Sequence, residues 1–286
     1  MTQKIILNIK CQDKMGIVAD VTRFLCDHNL NIIESTQFND ANSQQFFMRI
    51  EAVNLAADIV NISQNLADKF ANIANQYKLE FTFYDADKPL KTVLMVSKFD
   101  HCLQDILHRC YMNNLNIEIT SIVSNHIQAK RIADFHNLPF HHLPITKQTK
   151  DEQEIALRKV IEADQADLII LARYMQILSD KISAEYSGRI INIHHSFLPS
   201  FKGAKPYHQA YERGVKIIGA TAHYVTKDLD EGPIIGQDIE HVTHAMVPDE
   251  LIAIGRDIER RVLSTAIKQH AEHRVIIDGN RTIILR

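Results

Sequence analysis

The chain has 286 residues, of which 45% are hydrophobic and 23% charged, and its formal net charge is −3. This composition is typical of a globular protein, and so small a net charge gives no general attraction to nucleic acid or to a membrane surface. The length favours two domains over one. No stretch approaches the ~18 apolar residues of a membrane span, and the N-terminus lacks the apolar core of a signal peptide. We therefore expect a cytoplasmic protein that binds neither nucleic acid nor membranes.

Four cysteines and fifteen histidines raise the question of disulfides and metal sites. The cysteines form no C-x-x-C pair, so buried thiols are expected in preference to disulfides. The histidine pairs His141-His142 and His194-His195 are neighbours on predicted strands, where adjacent side chains point to opposite faces. No H-E-x-x-H motif occurs. The sequence therefore predicts no metal site.

The first 84 residues have a βαββαβ pattern of apolar spacing and turns. The predicted elements are a strand at 4–10, a helix from 17 to a C-cap at Asn29, strands near 31–38 and 45–53, a helix at about 55–75 and a strand at 79–84. This order predicts a ferredoxin-like α+β domain, in which four antiparallel strands carry two helices on one face.

The segment Cys11–Ala19, at the junction of the first strand and helix, resembles the start of an ACT domain. The resemblance implies a regulatory module that binds amino acids at paired interfaces, with Asp13, Gly16 and Ile17 as candidate effector-binding residues. Gly16 would let a ligand approach the helix N-terminus. Alternatively, Gly16 only permits a tight turn and the domain only dimerises. Both interpretations remain open, and both predict a homodimer or homotetramer.

The polar, proline-containing segment 85–91 is predicted to be a linker between domains 1–84 and 92–286. Beyond it strands alternate with helices, which is typical of α/β folds with a mainly parallel sheet covered on both faces. The predicted elements are strands at 92–96, 117–123, 140–143, 168–171, 190–194 and 218–225, helices at 102–113, 128–136, 151–163 and 249–271, and a terminal hairpin at 275–285. Ligands of such sheets bind beyond the C-terminal strand ends.

Three polar residues near such strand ends can support acyl-transfer chemistry. Asn192 and His194 are two apart in the strand 190–194, so they point to the same side. Asp230 lies in a later turn, 228–235. An amide can donate to a developing oxyanion, an imidazole can transfer protons near neutral pH, and a carboxylate can orient that imidazole and position water. We predict Asn192, His194 and Asp230 as catalytic residues.

The motifs Asn192–His194, Ser196–Pro199 and Leu229–Ile234 resemble those of the 10-formyltetrahydrofolate-using formyltransferase family. The resemblance covers about residues 92–286 and implies a Rossmann-like formyltransferase domain with an Asn–His–Asp catalytic set. Joined to the ACT-like segment, the chain resembles the formyltetrahydrofolate deformylases. This implies a role in one-carbon metabolism and in formate supply for purine biosynthesis.

The resemblance also implies a folate cleft, with 10-formyltetrahydrofolate as the substrate and no further cofactor. The residues that the resemblance places in this cleft come from two segments of the chain. They are Arg173, Tyr174, Met175, Asp228, Leu229 and Gly232.

Two departures from the transferase pattern favour hydrolysis. The segment Ser97–Leu103 stands where transferases acting on glycinamide ribonucleotide carry a glycine-rich phosphate loop. It has no glycine and contains Asp100, which would repel a phosphate. His195 stands where transferases commonly place proline. Without an amine acceptor, water is the expected nucleophile.

Two alternatives remain open. The chain could be a formyltransferase with an unidentified, non-phosphorylated amine acceptor, or a non-catalytic folate or amino-acid sensor. The intact set of proton-transfer groups argues against a sensor. The sequence does not assign a role to His195, His208 or His223.

Overall fold

The computed structural model describes residues 3–55, 62–146, 148–198 and 206–286. The described residues divide into two compact units. The first contains those of Met1–Pro89 together with Glu272–Asp278 and Ile283–Arg286, and the second contains those of Leu90–Ala271 together with Gly279–Thr282.

The first unit is built on an antiparallel sheet with the strand order β2-β3-β1-β4. Its elements are β1 (Lys4–Gln12), α1 (Ile17–Asp27), β2 (Leu30–Asp40), β3 (Gln45–Asn54), α2 (Ile62–Tyr77) and β4 (Glu80–Asp85). This is the predicted βαββαβ order. Positions 56–61, included in the predicted helix 55–75, lie outside the described residues.

The apolar faces of α1 and α2 form one core with the strands of the first unit. Val21 of α1 and Phe70 of α2 are fully buried, and the Phe24 and Phe70 rings meet edge to face at 5.0 Å. After α1 the chain passes through Asn29 at φ 58°, a left-handed conformation that asparagine tolerates. The helical periodicity in the sequence thus predicts which face of the helix packs against the sheet.

The first unit also contains residues from the C-terminus of the chain. Arg49 of β3 is 1% exposed, and its guanidinium donates to the Glu272 carbonyl at 3.1 Å and to Glu34 at 2.8 Å. Arg274 donates to the same Glu34 carboxylate at 2.9 Å. The predicted domain 92–286 includes residues 272–278, whereas the structure groups them with the N-terminal sheet. Ion pairs between residues more than 200 positions apart leave no pattern in a sequence.

The second unit is built on a seven-stranded sheet with the order β11-β10-β9-β8-β5-β6-β7. Its strands are β5 (Leu90–Val96), β6 (Ile117–Ser124), β7 (Phe140–His142), β8 (Leu168–Leu171), β9 (Ile190–His194), β10 (Ile217–Tyr224) and β11 (Ile234–His241). The five strands β7, β6, β5, β8 and β9 run parallel to one another, whereas β10 is antiparallel to both β9 and β11. The mainly parallel α/β sheet is therefore confirmed.

Helices connect these strands and cover the sheet. They are α3 (His101–Tyr111), α4 (Lys130–Phe135, preceded by a 3-10 turn at Ile127–Ala129), α5 (Lys150–Ala163), α6 (Asp180–Glu185), α7 (Pro206–Glu212) and α8 (Pro248–Ala271). Two short helices, α6 and α7, were not predicted, because neither is long enough to show helical periodicity. A final hairpin pairs β12 (Val275–Asp278) with β13 (Arg281–Ile284), as predicted.

Buried aliphatic strands fix the centre of the second unit. Val93, Leu94, Met95 and Val96 of β5 are each 0% exposed, as expected for a central strand covered on both faces. Because β5, β6, β8 and β9 are parallel, their C-terminal ends meet at one edge of the sheet, where Ser97, Arg173 and His194 follow or end a strand. In the described part of the chain, none of the helices is both long and apolar enough to cross a membrane.

Candidate active site

Strand β9 presents two of the predicted catalytic side chains. Its apolar residues Ile190, Ile191 and Ile193 are buried, whereas Asn192 and His194 are partly exposed. The alternation places the amide and the imidazole on one side of the strand, as the sequence predicted. β8 holds β9 on one edge and β10 on the other, so these two side chains have a rigid base.

The turn after β10 brings Asp230 to this pair. Its Oδ1 atom lies 3.2 Å from Nδ1 of His194 and 3.6 Å from Nε2 of His223. Burial raises the pKa of Asp230, but the hydrogen bonds and charges of the two histidines outweigh burial and hold it well below its usual range. Asp230 is therefore a carboxylate at neutral pH. The contact with Nδ1 of His194 leaves the Nε2 atom as the nitrogen available for proton transfer.

The turn can approach β10 because residue 232 is glycine. A Cβ at Gly232 would lie 1.8 Å from the Tyr224 carbonyl oxygen. Asp230 itself has φ 57°, a left-handed conformation that is uncommon outside glycine, asparagine and aspartate. The left-handed conformation of Asp230 and the close packing of the turn on β10 thus set the position of the carboxylate. Gly232 contributes because it has no side chain to keep the two backbones apart.

His223 of β10 is the fourth member of this cluster. It pairs with Asn192 across the β9–β10 ladder, and its Nε2 atom lies 3.2 Å from Nδ2 of Asn192. Its Nδ1 atom lies 2.9 Å from the Tyr224 carbonyl oxygen, which can only accept, so Nδ1 carries a proton. In its neutral form His223 can accept at Nε2 from the Asn192 amide nitrogen and orient it. The sequence did not assign a role to His223, because its position in the alternating pattern of a strand is equally typical of a buried structural residue.

His195 follows His194, the predicted catalytic histidine, and stacks on it. The two ring centroids are 5.0 Å apart and the planes are inclined by 23°. Burial, reinforced by the charges of Arg173 and His194, lowers the pKa of His195 to about 4. The ring is therefore neutral at physiological pH. His208, the other unassigned histidine, lies on α7 with its side chain exposed.

The loop after β9 is fastened to the neighbouring strands. The Thr221 hydroxyl of β10 donates to the Ser196 carbonyl at 3.0 Å and accepts from the Leu198 amide at 3.1 Å. The Gln237 amide of β11 donates to the Leu198 carbonyl at 3.1 Å. Pro199, the last residue of the Ser196–Pro199 motif, lies outside the described residues. Both anchors were missed, because a threonine and a glutamine on strands carry no distinguishing pattern.

The predicted folate-cleft residues of the β8 end follow that strand directly. Met175 is 51% exposed and its amide donates to Ser97 Oγ at 3.0 Å, which ties this segment to the end of β5. Tyr174 is 5% exposed, packs in the core and accepts at its hydroxyl from Gln153 at 3.0 Å. Its side chain therefore serves the core, and only its backbone is available to a ligand.

The remaining cleft residues lie in the Asp230 turn. Leu229 is 60% exposed, and the Asp228 carbonyl accepts from the Thr226 hydroxyl at 3.1 Å. The exposed apolar side chain of Leu229 is available to pack against a ligand that approaches Asp230.

The predicted effector residues lie in the first unit, at the start of α1. Gly16 has φ 99°, and a Cβ there would lie 2.8 Å from the Tyr77 hydroxyl oxygen. Ile17 is 1% exposed, and Asp13 accepts from Asn39 at 2.5 Å. Tyr77 therefore fills the space over Gly16. The glycine is required by its backbone conformation and by this contact.

A buried cluster surrounds Glu259 of α8. It lies at the edge of the sheet where β5 and β8 end. His101, Cys102 and Glu259 have ligand atoms within 4.8 Å of one another, close enough to share a metal ion. However, the Arg173 guanidinium lies 3.3 Å from Glu259, and burial raises the pKa of Cys102, which disfavours a thiolate. A cation would be repelled by Arg173, so an ion-pair network explains the trio.

Comparison with known proteins identifies the family. The second unit matches the family model of formyl transferase over residues 90–267. A formyltetrahydrofolate deformylase of Corynebacterium sp. (strain P-1) is 45% identical over 282 residues, which cover 98% of each chain. The crystal structure of a formyltetrahydrofolate deformylase from Burkholderia mallei superposes with a TM-score of 0.93 at 46% identity, covering 99% of this chain and 100% of that one.

A more distant similarity is confined to part of the chain. Glycinamide ribonucleotide transformylase 1 from Symbiobacterium toebii superposes with a TM-score of 0.65 at 29% identity, covering 71% of this chain and 97% of that one. The deformylases match over nearly the full length at higher identity. The chain therefore belongs to the formyl transferase family and, within it, to the formyltetrahydrofolate deformylases.

Proposed function

We propose that the protein hydrolyses 10-formyltetrahydrofolate to tetrahydrofolate and formate, and that Asn192, His194 and Asp230 catalyse the reaction. The observation that carries the catalytic assignment is the 3.2 Å contact between His194 Nδ1 and Asp230 Oδ1, formed by residues 36 positions apart. Membership of the deformylase family supports the reaction itself.

In the first step, water attacks the formyl carbon. The Asp230 carboxylate holds His194 by Nδ1, so Nε2 of the imidazole faces the water and takes up its proton. The formyl oxygen becomes negatively charged in the tetrahedral intermediate. Asn192 has one amide hydrogen on His223 and a second one free, which donates to this oxyanion.

In the second step, the intermediate collapses. His194 delivers the proton taken from water to N10 of the folate, and the bond between the formyl carbon and N10 breaks. The products are tetrahydrofolate, which keeps hydrogen on N10, and formic acid, which ionises to formate. The residues supply the proton transfers and oxyanion stabilisation, and we propose that no cofactor is needed.

We propose that the folate occupies a cleft between the segments 173–175 and 228–232. The exposed apolar side chains of Met175, which follows β8, and of Leu229, which lies in the Asp230 turn, support this assignment. The Arg173 amide already donates to the Leu171 carbonyl, and the carbonyls of Arg173 and Asp228 already accept within the protein. We therefore propose that the backbone of Tyr174 and Gly232 binds the pterin edge. Such a site is concave, largely apolar and read by a few polar groups.

Hydrolysis is favoured over transfer by the end of β5. The Ser97 hydroxyl donates to Asn125 at 2.7 Å and accepts from the Met175 amide, so it is fully engaged within the protein. The loop then reaches α3 through Asp100, with no glycine to let backbone amides close around a phosphate. These features support water over a phosphorylated amine as the acceptor.

We propose that the first unit is an ACT domain that mediates formation of a homodimer or homotetramer. Its βαββαβ order and four-stranded antiparallel sheet support this. Whether Asp13, Gly16 and Ile17 also bind an amino-acid effector is tested by titrating amino acids against the intact protein. The four cysteines are free thiols, which fits the cytoplasm, although Cys26 is exposed and not buried as expected.

The decisive experiment is incubation with 10-formyltetrahydrofolate and no amine. Formate is measured with a coupled formate dehydrogenase, and tetrahydrofolate is measured by chromatography. Equal amounts of the two products support hydrolysis. No formate without an amine, but formyl transfer when amines are added, would establish the transferase instead.

A further inference from the structure

The buried carboxylate of Glu259 has different partners at its two oxygens. Glu259 lies on α8 and is 1% exposed. Its Oε2 atom lies 2.7 Å from His101 Nε2, and its Oε1 atom accepts from the Tyr207 hydroxyl at 2.8 Å. Burial raises the pKa of Glu259, but the hydrogen bond from His101 and the charge of Arg173 outweigh burial and hold the pKa below its usual value. Glu259 is therefore a buried negative charge at neutral pH.

Arg173 supplies a buried positive charge that faces this carboxylate. The residue is 8% exposed, and its Nε atom lies 3.3 Å from Oε2 of Glu259. The contact is not an aligned hydrogen bond, because Nε of Arg173 has no acceptor in the part of the chain that the structure describes. Glu259 accepts its hydrogen bonds from His101 and Tyr207, and it acts on Arg173 through its charge. Together the two residues bring no net charge to this edge of the sheet.

The neighbours of this ion pair leave its two charges in balance. Burial raises the pKa of the Cys102 thiol and of the Tyr207 hydroxyl, so both groups stay protonated and uncharged. The Arg256 guanidinium lies over the Phe99 ring, 5.6 Å from its centre, but this arginine is exposed and water screens its charge. The local potential therefore depends on the balance between the two buried charges.

The charges of the pair reach the predicted catalytic histidine through His195. Burial contributes most to lowering the pKa of His195 to about 4, and the charge of Arg173 comes next, whereas the charges of Glu259 and Asp230 act in the opposite direction. The neutral ring of His195 stacks on His194 with centroids 5.0 Å apart. A partly buried contact of this kind screens charge less than water does, so the potential at His195 extends to His194.

We propose that Glu259 is a positioning residue that balances the charge of Arg173 and so allows His194 to take up the proton of the attacking water. This inference rests on the proposed function, in which His194 is the base. The first step turns its imidazole into a cation. A guanidinium without a counter-charge would repel that cation, whereas the Glu259 carboxylate offsets the repulsion without touching the substrate.

The pH dependence of kcat/KM for formate release separates this role from a structural one. His194 must be uncharged to accept a proton, so activity rises with pH along an acid limb. Glu259→Gln leaves a net positive charge and should move this limb to lower pH by about 0.5–1 unit. Arg173→Gln leaves a net negative charge and should move the limb to higher pH by a similar amount.

A double variant and two controls complete the experiment. Arg173→Gln/Glu259→Gln has neither charge, so its acid limb should return to the wild-type position. This variant also carries the test if a single unpaired charge prevents folding, because its limb is compared directly with that of the wild type. Asp257→Asn on the same helix and Arg256→Gln remove exposed charges, and both should leave the limb where it is.

Opposite shifts in the single variants that cancel in the double variant support the charge-balancing role. Lost packing would not change the direction of a shift with the sign of the charge. Unmoved limbs, shifts in one direction only, or a displaced limb in the double variant would therefore each overturn the proposal. A double variant that does not fold would assign the pair to stability and count against it as well. Failure of the proposed function is a different result, since the wild type itself would then release no formate.

Discussion

Asn192 and His223 face each other across the β9–β10 ladder, with the amide nitrogen of one 3.2 Å from the imidazole Nε2 of the other. Because the Tyr224 carbonyl holds a proton of His223 on Nδ1, the Nε2 atom is the one that presents an acceptor to Asn192 in the neutral form of the ring. An acceptor at this position draws the amide NH₂ group toward it and keeps a second N–H available for the substrate. The strand register therefore orients the Asn192 amide, which we propose to be catalytic, through a histidine that does not need to touch the substrate.

Substitution of His223 should reduce turnover through Asn192. We expect His223→Ala to lower kcat roughly 10-fold to 100-fold, less than the loss of an oxyanion donor itself, with a smaller change in KM. The assay is formate release at saturating substrate, and His241→Ala, an exposed histidine on β11, is the control. Unchanged kcat in His223→Ala would show that Asn192 needs no such support.

Removal of the Asp230 charge should abolish most turnover without unfolding the protein. The carboxylate stabilises the cationic form of His194, so Asp230→Asn should lower kcat by about 10²–10⁴. Glu231→Gln changes the adjacent, exposed carboxylate in the same turn and should keep normal activity. Thermal unfolding of both variants checks that the fold is intact. Full activity in Asp230→Asn would remove this residue from the mechanism.

A methyl group at position 232 should displace the turn that carries Asp230. In Gly232→Ala the new Cβ would meet the Tyr224 carbonyl oxygen at 1.8 Å, so the turn must move away from β10 and carry Asp230 with it. We expect a lower melting temperature and a large loss of kcat. Gly236→Ala on β11 is the matched control, since no atom lies within 4 Å of its added Cβ. Equal behaviour of the two variants would contradict the packing argument.

Acid should destabilise the second unit through His270. Burial lowers the pKa of this histidine from 6.5 to about 4, and its Nδ1 lies 2.7 Å from the Tyr224 hydroxyl. The unfolded chain thus takes up the proton at higher pH than the folded chain does. The stability from neutral His270 is complete above pH 6.5 and is lost as pH falls toward 4, by about 1–3 kcal/mol.

His270→Gln should remove this pH dependence while keeping a hydrogen-bond partner for Tyr224. The measurement is urea unfolding at several pH values between 4 and 7.5 for the wild type and the variant. The difference between their free energies of unfolding should shrink as the pH falls. Parallel curves would show that His270 does not titrate between the two states.

Much of the fold follows from local pattern. The strands β1, β8 and β9 and the helices α1, α3 and α8 were predicted within a few residues, because their apolar spacing or their runs of buried aliphatic residues extend over the whole element. The same two-residue alternation correctly placed Asn192 and His194 on one side of a strand. These features depend only on neighbours in the sequence.

The rest depends on which distant segments meet. His223 joins the site only because β10 pairs with β9 in one register, and a shift by one residue would turn its side chain to the other face. Glu259 is one charged residue on a helix rich in charges. Its burial reflects His101, Arg173 and Tyr207, which come from three separate segments. Sequence periodicity does not predict such contacts between distant segments.

The contacts of Arg49 with the Glu272 carbonyl, and of Arg274 with Glu34, have a consequence for biosynthesis. A ribosome finishes the first 89 residues long before it reaches position 272, so the N-terminal sheet emerges with a buried arginine that still lacks one of its acceptors. The N-terminal unit can complete its polar contacts only after nearly the whole polypeptide has been made. Translation that stops before position 272 should therefore leave the beginning of the chain, and not only its end, vulnerable to proteases.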